Sequence, residues 1–124
     1  EIARKTVLAS HDFKLLHIGI NNKNIEDAFR AAKGLSDLLD EPLRELASAY
    51  FVGDMADVVK YELPCEHGHI AIAVNNIERA VHYFERRGYS FTDMNYDDKG
   101  NLVASWFDPE KYNFGGFAVH LRAR

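Results

Sequence analysis

Apolar and polar positions alternate with a period of two through His17-Ile18-Gly19-Ile20 and again through His69-Ile70-Ala71-Ile72-Ala73-Val74. Both runs then give way to apolar positions spaced by three and four. Alternation of branched residues with small or polar ones predicts a strand, and the later spacing predicts an amphipathic helix. Asn24 and Asn76 stand at the change of period, where a side-chain oxygen caps the first free N–H groups of a helix. The first helix is expected to bury Ile25, Ala28, Phe29, Ala32, Leu35, Leu38 and Leu39. The second is expected to bury Ile77, Ala80, Val81 and Phe84 and to stop at Gly88.

These two stretches repeat at a constant offset of 52 residues, with His, Ile, Ile, Asn, Ile, Glu and Ala recurring in register. Short β-prone runs follow each helix. Behind the first they fall at 43–47, 49–52 and 57–61, with a turn at Gly53-Asp54. Behind the second they fall at 90–95, 102–107 and 117–122, with the hairpin signal Asp97-Asp98-Lys99-Gly100-Asn101 between the first two. Each half therefore reads β-α-β-β-β. The fold class expected is α+β, with two such modules (about 15–64 and 67–122) forming a curved mixed sheet around a cup and the helices outside. Residues 1–14 read as an N-terminal extension or linker ahead of a single domain at 15–124.

Alternation also assigns faces. Ile18, Ile20, Ile70, Ile72 and Val74 should pack under the helices, while His17, Gly19, His69 and Ala71 point into the cup. In the last strand, Ala118, His120 and Arg122 share the cup face. Asp57 opens the strand of the first half that corresponds to the one carrying His120. Three imidazoles and a carboxylate from four strands suit one divalent transition metal (Zn, Ni, Fe, Mn or Co) better than Ca²⁺ or Mg²⁺, which prefer oxygen shells. The expected ligands are thus His17, Asp57, His69 and His120, with room left for water or substrate. His67 shares parity with His69 and is a candidate substrate contact. Tyr50, Phe51 and Trp106 are candidate cup walls, and Arg122 a candidate holder of a substrate carboxylate. His11, His82 and Cys65 carry no pattern that points to chemistry.

Composition narrows the classes. With 124 residues, 47% of them hydrophobic, the chain can build one core. A net charge of −4 with scattered Lys and Arg excludes a nucleic-acid partner as an expectation. The lone Cys65 argues for no disulfide framework, and no apolar run approaches a membrane span, so a cytoplasmic domain is expected. The chain opens at Glu1 rather than Met, which points to a processed chain or a piece of a longer polypeptide.

His17-Ile18-Gly19-Ile20, His69-Ile70-Ala71-Ile72-Ala73-Val74 and Gly116-Phe117-Ala118-Val119-His120 resemble the vicinal-oxygen-chelate superfamily of glyoxalases, fosfomycin-resistance proteins, extradiol dioxygenases and bleomycin-binding proteins. The resemblance covers about residues 15–122. His120 stands where the family carries Glu in its last strand, and Asp57 where it carries a first-half Glu. That departure argues against carrying over methylglyoxal chemistry. The runs Phe13–Asn21, Glu66–Ile72 and Gly115–Leu121 further resemble a subgroup appended to 2-keto-3-deoxy-6-phosphogluconate and 2-keto-4-hydroxyglutarate aldolases. What the resemblance implies is a metal-dependent isomerase, epimerase or lyase acting on a 2-oxo acid, sugar acid or related small molecule, with Asp57 as base. It also implies pairing of two chains. The alternative is a non-catalytic ligand-binding or regulatory domain, as the C-terminal part of an aldolase.

Overall fold

The asparagines at the changes of period cap helices as their position predicts. Asn24 Oδ1 accepts the Asp27 N–H at 2.8 Å, and Asn76 Oδ1 accepts the Arg79 N–H at 3.0 Å. The computed structural model describes residues 2–124. Along them run α1 (Ile2–Ser10), β1 (Lys14–Ile20), α2 (Ile25–Leu39), β2 (Leu43–Glu45), β3 (Ala49–Val52) and β4 (Ala56–Val59). Then come β5 (Gly68–Val74), α3 (Ile77–Arg86), β6 (Phe91–Tyr96), β7 (Leu102–Phe107) and β8 (Phe117–Ala123). The class is α+β. Among the described residues, no helix is long and apolar enough to cross a membrane.

All eight strands form one open mixed sheet in the order β2-β3-β4-β1-β5-β8-β7-β6. β1 pairs parallel with β4 and antiparallel with β5, and β5 pairs parallel with β8. The four central strands are therefore β4, β1, β5 and β8. One side of the sheet carries two apolar clusters. Ala28, Ala32, Tyr50, Val52, Ala56 and Val58 gather under α2; Val74, Ile77, Val81, Leu102, Phe107 and Leu121 gather under α3.

Three features differ from the sequence expectation. Residues 2–10, given no element by the pattern, form α1, and His11 behind it is 1% exposed between the rings of Phe13 and Tyr83. The α2 stripe is buried only at Ala28 and Ala32, while Ile25, Phe29, Leu38 and Leu39 are 43–77% exposed. Small residues set that contact, because alanines let the helix sit close on β3 and β4 and leave the larger apolar flanks outside. Tyr50, expected as a cup wall, lies on the α2 side, with its ring 5.6 Å from Phe29.

Candidate metal centre

The sheet register sets the site. In one cross-strand row Asp57, Gly19, His69 and Ala118 are consecutive Cα partners on β4, β1, β5 and β8. In the next row His17, Ala71, His120 and Trp106 are consecutive partners on β1, β5, β8 and β7. Paired residues share a face of the sheet, so all of these side chains rise from the side opposite the two helix-covered clusters. A glycine or alanine stands beside each imidazole, which leaves the rings room to lean together. The need is sharpest at Gly19, where a Cβ would fall within the His69 ring.

The rings converge. Centroids of His17 and His69 are 5.5 Å apart, those of His17 and His120 5.8 Å, and those of His69 and His120 5.2 Å. One nitrogen of each imidazole lies within 4.8 Å of the others. The three residues are buried, at 9%, 3% and 3% exposure. Asp57 Oδ2 comes to 3.3 Å from His69 Nε2 and 3.8 Å from His17 Nε2, so the carboxylate borders the trio on the β4 side. Trp106 lies parallel to His120 at 4.1 Å and meets His69 edge-on at 5.2 Å; Phe51 meets His17 edge-on at 5.5 Å. Both rings therefore wall the trio.

Burial favours the neutral form of His17 and His120. Burial pulls the His17 pKa below 6.5; Asp57 opposes the shift, and His69 and Arg122 reinforce it. Burial, with help from His69, His17 and Arg122, lowers His120 to about 3. A neutral imidazole offers a lone pair, which a metal requires. The buried atoms His17 Nε2, His69 Nδ1, both nitrogens of His120 and Asp57 Oδ1 have no hydrogen-bond partner. Orphaned polar atoms of this density are rare in folded proteins, and donors of this type fit a cation. The three histidines could hold a metal ion.

The other sequence candidates divide. Arg122 pairs in register with Ala73 and Ala104, two positions along β8 from His120, and bears on the charge of both His17 and His120. Lys14 also pairs with Ala73, placing a second cation in that row. Sequence reading missed Lys14, because an extra residue in β1 between Leu15 and His17 shifts the register there. His67 is not brought to the trio. It precedes β5, leans on Phe117 at 5.9 Å, and has Nε2 3.9 Å from Glu66.

No protein-family model matches the chain, and no curated protein matches it. In structure the chain is similar to a hypothetical protein from Bacillus halodurans C-125, with a TM-score of 0.60 over 90% of this chain and 94% of that one. Identity between the two is 18%, so this likeness concerns the fold alone.

Proposed function

We propose that this chain is a metal-dependent enzyme of the vicinal-oxygen-chelate superfamily, an isomerase, epimerase or lyase for a 2-oxo acid, sugar acid or related substrate with two neighbouring oxygens. One observation carries the reading: unpartnered imidazole nitrogens and a carboxylate oxygen converge on one face of the central strands. Leaving a buried polar atom unsatisfied costs about 1–3 kcal/mol, and a cation shared by several of them offsets that cost. The mirrored strand order on the two sides of the β1–β5 pairing supports two β-α-β-β-β modules that share a cup.

In this reading His17, His69, His120 and Asp57 hold one divalent ion of the Zn²⁺, Ni²⁺, Fe²⁺, Mn²⁺ or Co²⁺ group, since imidazole ligands favour these over Ca²⁺ or Mg²⁺. When bound, such an ion polarises a substrate oxygen as a Lewis acid. The chain supplies the rest. Asp57, its side chain 18% exposed, would act as base only once it loosens from the ion, taking a proton from a carbon next to a carbonyl. Arg122, which has no ion-pair partner among the described residues, would take the substrate carboxylate, with Lys14 in the same row. Trp106 and Phe51 limit water on either flank.

Elemental analysis of untagged protein tests the reading. Wild type should carry close to one equivalent of a transition metal, and His69→Ala should lose most of it. Equally negligible metal in both would remove the proposal.

A further inference from the structure

A second concentration of functional groups lies on the helix-covered side, remote from the imidazoles. α1 and α3 border a cavity of about 690 Å³, and a smaller one of about 180 Å³ adjoins it through the shared residues Val7 and Tyr83. The larger falls within the size range of small-molecule sites, roughly 300–1,000 Å³. Its walls are aromatic, formed by Tyr83, Tyr89 and Tyr112, and its rim carries Arg4 and Arg87. The smaller adds Arg79, His82 and Arg86. Among the described residues no carboxylate lines either one, although the whole chain has a net charge of −4.

None of these basic side chains is ion-paired among the described residues. Arg87 rests over the rings of Tyr83, Phe84 and Tyr89 at 5.5–5.8 Å, held by π-faces, and has no ion-pair partner among the described residues. Arg79 donates to Ser10 O and Asn75 Oδ1, while Arg4, His82 and Arg86 have no hydrogen bond or ion pair among the described residues. An arginine in the last turn of a helix complements the helix dipole, which accounts for Arg86 and Arg87. It does not account for Arg4 on the facing helix, nor for the floor of the groove. There His11, 1% exposed, has both ring nitrogens unpartnered, and the Tyr83 hydroxyl is buried without a partner.

We propose that the α1–α3 groove binds an aromatic monophosphate of nucleotide size, its ring on the tyrosine wall and its phosphate among Arg4, His82, Arg86 and Arg87. Charge complementarity selects the anion, and three tyrosine rings select a flat partner. This site is independent of the metal reading, since none of its residues belongs to the trio's face.

The probe is AMP, titrated calorimetrically into the 124-residue chain, with adenosine and ribose 5-phosphate as partial ligands. AMP should bind with a dissociation constant below about 1 mM, at least tenfold tighter than either partial ligand. The double variant Arg86→Gln/Arg87→Gln should weaken AMP at least tenfold. Because Arg87 also caps α3, His82→Gln/Arg86→Gln, at two exposed positions, serves as the second variant with the same expected loss. His69→Ala should bind AMP as wild type does. No AMP binding, adenosine equal to AMP, unchanged affinity in the second variant, or loss of AMP in His69→Ala would each overturn the proposal.

Discussion

Gly19→Ala tests the site's construction more sharply than removal of a ligand, because it adds one methyl group and deletes nothing. A Cβ at Gly19 would lie closer than 3.0 Å to Cε1, Nδ1 and Nε2 of His69, where real Cβ atoms are essentially never found. Ordinary carbon contacts begin near 3.5 Å, so the imidazole has to retreat by about 1.5 Å. Metal ligands tolerate about 0.2 Å of departure from their ideal distances, and a ring displaced that far no longer serves. Metal affinity should therefore fall by about 100-fold or more, close to 2.7 kcal/mol at 1.36 kcal/mol per factor of ten. Overpacking should cost the metal-free fold about 1–3 kcal/mol as well. The assays are competition with a chromogenic chelator for affinity and urea unfolding of chelator-treated protein for stability. Gly34→Ala is the control: it lies in α2 with nothing within 4 Å of a built Cβ, so it should stabilise by about 0.5–1 kcal/mol. Wild-type metal affinity in Gly19→Ala would refute the placement of His69 over β1.

Acid should destabilise the metal-free protein. His17 and His120 have folded pKa values below the unfolded 6.5, the latter about 3. The unfolded chain then binds more protons below pH 6.5, so stability should fall as pH falls, by about 1.4 kcal/mol per pH unit from His120 alone between 6.5 and its folded value, with His17 adding in the same direction. Urea titrations that coincide at pH 7 and pH 5 would contradict this. Trp106, the only tryptophan, stacks on His120, so its fluorescence should change on Co²⁺ addition and saturate at one equivalent. A flat titration would place the ion elsewhere. Asn76→Ala should lower stability by about 1 kcal/mol in thermal unfolding through loss of the α3 cap; no change would mean the Asn76 bond contributes nothing. Leu15 and Leu39 are 66% and 43% exposed beside one apolar groove, which would be the seam if two chains pair as the family resemblance implies. Sedimentation should show a dimer that Leu15→Lys splits, and a wild-type monomer would dispose of the idea.

Legibility followed locality. Strand, cap and helix signals within ten residues of one another were readable, and β3 and β7 begin and end where the pattern puts them. His17, His69 and His120 could be grouped because period-two alternation fixes a face once the strand is right. Asp57 is harder: the pattern makes it the first residue of its strand, whereas β4 begins at Ala56, and Asp57 has a register partner in Gly19. What escaped depends on contacts distant in sequence. His11 is buried by Tyr83 on another helix, and no periodicity in 1–14 announces that. Parity misled at His67, because the strand does not extend back to it. The helical spacing of the α2 leucines predicts a core, yet spacing says which residues share a flank and not whether anything covers it.

The row structure has a consequence for the joint in the middle of the sheet. Asp57, His17, His69 and His120 sit on four adjacent strands, two contributed by the chain before residue 64 and two by the chain after it. An ion gripped by all four would act as a rivet across the β1–β5 seam, tying parts of the polypeptide that are 103 positions apart in the case of His17 and His120. Loading at a thousand times the dissociation constant would add about 4.1 kcal/mol to global unfolding. Fraying at this joint and release of the ion would then be one event, so slow metal exchange and slow opening of the sheet should share a rate.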